Sequence, residues 1–335
     1  MSALSKARIT AIGTYVPEAI MTNEDLERLV DTNDEWIVQR TGIKTRHIAA
    51  SDEFTSNLCI RAAEKLRDTY AVSLDDVDLI IAATATPDYS FPSVSCRVQA
   101  HFGIKETGAI DLNATCAGFS YALHVANGLI TSGLHKKILV VAGETMSKIT
   151  DYTDRSTCIL FGDGAGAVLV EYDPEQAGFE SFTMGTQGSG GIHVYQSGLS
   201  TQMDQTPLAG DGRIVQNGRE VFKWAVRTVS EGINTLLEQA GLELDQIDWV
   251  VPHSANLRII ESICEKADIP LSKTLQSVQE MGNTSSASIP LALQAGIDHQ
   301  QLKYGDRVLI YGFGSGLTHS GLIIRWGVPN LIEQS

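Results

Sequence analysis

Three side chains far apart in the chain, Cys116, His253 and Asn283, are of the types that thiol-based acyl chemistry requires. A thiol attacks only as its thiolate, and a neighbouring imidazole can take the proton. An asparagine amide is no base at neutral pH, but its NH2 donates to a developing oxyanion, as does the Nε2–H of a neutral histidine. Two such donors on one oxygen suit an enolate. Gly312-Phe-Gly-Ser-Gly316 adds backbone N–H groups with unhindered approach, suited to a second oxyanion site. Each residue also has a plainer reading. A lone cysteine is most often buried and inert. A lone histidine is most often structural or on the surface, and an asparagine ahead of small residues is by default a cap.

Position decides between these readings. Residues 109–112 form a short apolar stretch that reads as a strand, 113–115 as a turn, and Cys116 opens a helix that runs to Ser132 and stops at Gly133. A thiol there feels the positive end of the helix dipole, which favours the thiolate. Its neighbours Ala114, Thr115, Ala117, Gly118 and Ser120 are small, so other segments can approach. Around this unit the sequence predicts a strand at 6–12, a capped helix from Thr22, a helix over 55–68, a buried strand within 75–86 and a helix over 93–102. A buried strand at 136–143 and a glycine-rich approach to another at 161–171 follow.

The same order recurs in the second half. A helix is predicted over 221–240, residues 244–251 echo 74–81, 277–296 echo the strand, turn and helix around Cys116, 304–312 echo the strand at 136, and 318–326 echo the strand after Gly164. The expectation is an α/β fold of two related halves, residues 1–175 and 176–335, with mostly parallel buried sheets covered by helices. Residues 185–218, rich in Gly, Gln, Ser and Asp, read as an extended loop region placed to wall a pocket. The repeat gives the three side chains one address. Asn283 to Ser285 open the counterpart of the Cys116 helix, and His253 follows the strand that matches 79–83.

Composition narrows the classes. The chain has 335 residues, 43% hydrophobic and 19% charged, as in a globular protein with a sizeable core. Its net charge of -15 argues against non-specific nucleic-acid binding. No apolar run approaches membrane-span length, and the first residues lack the apolar core of a signal peptide, so a cytoplasmic protein is expected. Five scattered cysteines without a CxxC pair fit reduced thiols, not a disulfide framework or a zinc site.

The segments Ala114-Thr-Cys-Ala-Gly-Phe119, Pro252-His-Ser-Ala-Asn-Leu-Arg-Ile259, Gly282-Asn-Thr-Ser-Ser-Ala-Ser-Ile-Pro290 and Gly312-Phe-Gly-Ser-Gly-Leu317 resemble motifs of the thiolase superfamily, and within it of the β-ketoacyl-acyl-carrier-protein synthase III family. Residues 34–43 and 161–166 are similar to that family too. The resemblance implies a thiolase-like, layered α-β-α-β-α architecture and a homodimer. It implies the initiating decarboxylative condensation of a short acyl-CoA with malonyl-acyl-carrier protein in fatty-acid synthesis, with no metal or redox cofactor. It makes Cys116 the acylated nucleophile, His253 and Asn283 the pair that assists decarboxylation, and the N–H groups of Cys116 and Ser315 the acyl oxyanion hole. The family usually has Gly where Ser315 stands, a mild departure if only the N–H is used. Trp36 and Arg155 resemble the residues that sandwich the CoA adenine. Thr32, Arg40, Gly218, Phe222, Ala255 and Asn256 resemble others lining the CoA channel. Lys223 and Arg258 resemble basic residues that receive the acidic carrier protein, and solvated helix charges are the equal alternative. Phe91 resembles a dimer-interface residue reaching the partner's acyl pocket, against ordinary core packing, and Met146 is expected near that pocket.

Relatives in the superfamily separate by residue type. A degradative thiolase needs a second cysteine in the C-terminal glycine-rich motif, and 312–319 has none. Elongating ketosynthases carry a second histidine where Asn283 stands. A condensing enzyme of secondary metabolism keeps the same Cys-His-Asn set and is the main rival. A Cys-His-Asn hydrolase and a non-catalytic acyl- or CoA-binding module are the rivals from other classes.

Overall fold

The computed structural model describes residues 5–330. Two sheets organise it. In the first, Ala7–Tyr15, Asp163–Tyr172, Lys137–Thr145, Leu79–Ala83 and Gly108–Leu112 lie side by side in that order. The first three pair antiparallel, and the last two join in parallel. In the second, Phe179–Thr186, Thr318–Arg325, Arg307–Gly314 and Trp249–Pro252 follow the same order and the same pattern of directions. Its fifth position is reduced to one parallel bridge between Val250 and Thr274. The strand expected just before Asn283 is instead a single helical turn, Val278–Met281, because Gln276, Gln279 and Glu280 interrupt the apolar run a buried strand needs.

Helices complete the layers. Thr55–Tyr70 and Val94–Phe102 cover the outer face of the first sheet. Gly218–Ala240 covers that of the second, with Leu257–Lys266 packed against it. Gly118–Thr131 and Ser288–Asp298 lie between the sheets and touch strands of both halves. The result is a thiolase-like fold with an α-β-α-β-α stack and two pseudo-equivalent halves. Leu79–Ala83 is buried throughout, as expected of a strand covered on both faces. Three apolar cores fill the stack, one outside each sheet and one between the sheets that spans both inner helix–sheet junctions. Thr22 caps Asn23–Glu27 with a reciprocal box to Asp25, so the start of that helix was legible although its end is shorter than the periodicity implied.

Gly108–Leu112 is the edge strand of the first sheet and carries an exposed Ile110. Residues 185–218 are more ordered than a loop. Val194–Gln196 pairs with Ile214–Gln216, and a smaller ribbon joins Gln202–Met203 to Thr206–Pro207. Among the described residues no helix is long and apolar enough to cross a membrane.

Candidate active site

The nucleophile turn is built the same way in both halves. Asn113 Oδ1 accepts the Thr115 N–H at 3.3 Å, and Asn283 Oδ1 accepts the Ser285 N–H at 2.9 Å. Thr115 and Ser285 both take positive φ, +46° and +50°. Each then starts a short 3-10 turn, Thr115–Ala117 or Ser285–Ala287, that feeds the central helix. The structural counterpart of Cys116 is therefore Ser286, and that of Asn283 is Asn113, which corrects the match expected from sequence. Cys116 also sits one 3-10 turn ahead of the α-helix, which begins at Gly118.

His253 follows strand Trp249–Pro252, and its N–H donates to the Tyr311 carbonyl at 2.8 Å. Strand Arg307–Gly314 crosses directly over the nucleophile turn. A Cβ on Gly314 would lie 2.8 Å from the Cys116 Cβ and 3.0 Å from its N, and one on Gly312 would lie 2.9 Å from the Ala117 Cα. Only glycine permits this approach. Ser315 comes next, and its N–H has no acceptor among the described residues.

The hydrogen bonds fix what each group offers. The Asn283 carbonyl oxygen is taken by Ser285, so its NH2 is the end left for the cavity. The His253 ring is buried, with its edge against Phe313 at a centroid distance of 5.2 Å, and its Nδ1 lies 2.6 Å from the Ser288 Oγ. That oxygen already accepts the Ser254 N–H at 3.2 Å. Its own proton has no acceptor except His253 Nδ1 among the described residues, so Nε2 carries the imidazole proton. Burial lowers the His253 pKa to about 3, and the ring is neutral.

Cys116 departs from the sequence expectation. Its pKa is raised to about 12, first by burial, against which the Ser285 hydroxyl acts to lower it, while the nearby Glu144 carboxylate raises it further. Desolvation outweighs the helix dipole, and the resting side chain is a neutral thiol.

One cavity of about 1020 Å³ joins these groups. Cys116, His253, Asn283, Ser285, Phe313 and Ser315 line its inner end, together with Met146. Trp36, Arg40, Arg155, Gly218, Phe222, Ala255 and Asn256 also border it. Ile192, Val194, Ile214 and Val215 supply an apolar wall from the 185–218 segment, as its composition suggested. The expected adenine sandwich is closed: the Arg155 guanidinium lies 4.0 Å from the Trp36 ring centre, one stacking contact with no room for a ring between them. Arg40 lies 5.0 Å from the same ring. Thr32 is not in the cavity wall, and its buried hydroxyl has no partner among the described residues.

The remaining predicted residues lie outside the cavity. Lys223 and Arg258 are exposed and paired along their own helices, with Glu220 at 2.9 Å and Glu261 at 2.7 Å, as solvated helix charges are. Phe91 is 86% exposed, which excludes packing in its own core. Sequence reading passed over Glu144, Ser285, Ser288 and Arg219. The two serines lie inside the quoted 282–290 motif, Arg219 borders the cavity, and Glu144 is the lone acid at the end of an apolar strand. Among the described residues no cluster of His, Cys, Asp or Glu is arranged to hold a metal ion.

Residues 110–188 match the 3-oxoacyl-[acyl-carrier-protein] synthase III family, and residues 237–326 match that family's C-terminal part. A β-ketoacyl-[acyl-carrier-protein] synthase III 2 of Bacillus anthracis is 63% identical over 96% of this chain and 98% of its own. The chain belongs to this family. A crystal structure of the Thermus thermophilus synthase III superposes with a TM-score of 0.92 at 45% identity, covering 96% of this chain and 99% of its own. The priming β-ketosynthase of the R1128 polyketide pathway superposes at 0.91 with 33% identity, covering 98% of each chain.

Proposed function

We propose that this chain catalyses the initiating decarboxylative Claisen condensation of type II fatty-acid synthesis, joining a short acyl-CoA to malonyl-acyl-carrier protein. The observation that carries the reading is that Cys116, His253 and Asn283 share the inner end of one cavity that Trp36 and Arg155 also border. In this reading residues 1–175 supply the nucleophile and residues 176–335 the histidine and asparagine.

Cys116 attacks the thioester carbonyl, and the N–H groups of Cys116 and Ser315 hold the oxyanion. CoA leaves and an acyl-enzyme remains. Malonyl-acyl-carrier protein then enters the same cavity. As CO2 departs, charge builds on the thioester oxygen, where the His253 Nε2–H and the Asn283 NH2 donate to it. Both donors are neutral and already oriented, so little reorganisation accompanies the charge. The enolate carbon attacks the acyl group on Cys116 and releases 3-oxoacyl-acyl-carrier protein. Trp36 and Arg155 grip the CoA adenine after the guanidinium swings aside, with Arg40, Gly218, Phe222, Ala255 and Asn256 along the CoA path. No metal or redox group enters any step.

The apolar Phe91 and the exposed edge strand at Ile110 support a homodimer. Five unpaired cysteines support a reducing, cytoplasmic setting. Lys223 and Arg258 remain the proposed landing points for the acidic carrier protein.

The polyketide priming enzyme shares the fold almost equally well, so fold does not separate primary from secondary metabolism. Identity favours the fatty-acid reading, 63% against 33%. A condensation assay offering malonyl-acyl-carrier protein in competition with other acyl acceptors tests it. Preferential formation of 3-oxoacyl-acyl-carrier protein, abolished in Cys116→Ala, is expected; preference for another acceptor would move the chain to the rival class.

A further inference from the structure

The neutral thiol of Cys116 must lose its proton, yet the histidine nearest in function is not arranged to take it. Ser288 occupies His253 Nδ1, and Nε2 already carries hydrogen. Behind the nucleophile lies a carboxylate that the condensation described above does not use. Glu144 is the penultimate residue of strand Lys137–Thr145 and is fully buried. It receives the Ala85 N–H at 3.0 Å and the Thr84, Thr86 and Ser285 hydroxyls at 3.2, 2.7 and 3.0 Å. No cation pairs with it among the described residues. Ser285 stands between the two groups: its Oγ donates to Glu144 Oε1, it lines the cavity with Cys116 on a turn packed against the Cys116 turn, and its hydroxyl acts to lower the thiol's pKa.

We propose that Glu144 is the proton acceptor for Cys116, reached through the Ser285 hydroxyl. As the Cys116 S–H bond breaks, its proton passes to the Ser285 Oγ, and the Ser285 proton passes to Glu144 Oε1. The serine ends as a hydroxyl, unchanged. The sulfur lone pair forms the bond to the acyl carbon. When the tetrahedral intermediate collapses and the carbon–sulfur bond to CoA breaks, the proton returns along the same path to the departing thiolate. During acylation the buried site then holds one negative charge, never a thiolate and a carboxylate together. Burial raises the pKa of both groups, so each disfavours its charged form, which favours such sharing. Glu144 acts through Ser285 and positions that hydroxyl as well.

This inference rests on Cys116 being the nucleophile of the proposed function, but its test needs no acyl-CoA. The rate of iodoacetamide alkylation is followed at Cys116 by peptide mass spectrometry, which separates it from the exposed Cys96, across pH 6 to 10 (about the range where thiols titrate). Glu144→Gln and Ser285→Ala are each expected to slow alkylation at neutral pH by about 10²-fold and to move its midpoint upward, with Glu144→Asp restoring part of the rate. The opposite sign, faster alkylation and a lower midpoint in Glu144→Gln, would make the carboxylate a mere repulsive neighbour and overturn the relay, as would an unchanged profile. Ser285→Ala keeps the carboxylate and the backbone N–H that holds Asn283, so it tests the relay even if Glu144→Gln does not fold. Wild-type condensation without these shifts would sink the relay alone; the shifts without wild-type condensation would sink the proposed function alone.

Discussion

Replacing Asn283 separates its two hydrogen-bonding ends. Its carbonyl oxygen accepts the Ser285 N–H at 2.9 Å, while its NH2 is left for the cavity. Asn283→Ala removes both. Loss of one preorganised oxyanion donor costs about 10²–10³ in rate, or roughly 2.7–4 kcal/mol of barrier. Leaving the buried Ser285 N–H without an acceptor costs about 1–3 kcal/mol of stability in addition. Asn283→Asp restores an acceptor for Ser285 but offers no donor, so decarboxylation should stay at least as slow as in Asn283→Ala. The two half-reactions are measured apart: acyl-enzyme formation by intact mass after acyl-CoA addition, and CO2 release from malonyl-acyl-carrier protein. Decarboxylation should fall by the full factor and acylation far less. Wild-type decarboxylation in Asn283→Ala, or equal loss of both steps in a folded variant, would refute the assignment of Asn283 to the enolate.

Other outcomes follow from single contacts. Gly314→Ala places a methyl 2.8 Å from the Cys116 Cβ; a displacement of the nucleophile approaching 1 Å lowers acylation by about 10²-fold, read as the single-turnover rate with thermal melting as the folding control. Trp36→Ala removes the aromatic face, worth about 0.5–2 kcal/mol, and should raise the KM for acyl-CoA several-fold with kcat little changed. His253 has a folded pKa of about 3 against 6.5 for the free side chain. Between those values the unfolded chain binds more protons, so stability is lost as pH falls from 6.5 toward 3, by up to about 1.4 kcal/mol per pH unit from this residue. Urea midpoints across pH 4 to 7 (about the window those pKa values set) should show that slope, and His253→Gln should flatten it.

Particular residues explain what the sequence could and could not reveal. Asn113 to Ala117 and Asn283 to Ala287 repeat a turn whose geometry depends on local chemistry, a side-chain oxygen two residues before a positive φ, so the turn was legible even though the residue match was offset. His253 was legible because it ends a strand that the repeat identifies. The fifth strand of the second sheet was not, since 274–281 pairs at one point only and its form depends on what the neighbouring strand leaves open. The protonation state of Cys116 was not legible in the sequence, for a tertiary reason. A helix dipole is a property of nearby sequence, whereas burial and the carboxylate of Glu144, twenty-eight residues on in the chain, are not. The closed Trp36–Arg155 contact likewise joins side chains that sequence could name but not set at a distance.

The most direct test of the central claim is to trap and chase the acyl-enzyme. The protein is incubated with acetyl-CoA, digested and mapped by mass spectrometry, then in a parallel sample treated with malonyl-acyl-carrier protein. An acetyl group on Cys116 that disappears on the chase as 3-oxobutanoyl-acyl-carrier protein forms is the predicted result. An adduct on another residue, or condensation that persists in Cys116→Ala, would contradict it.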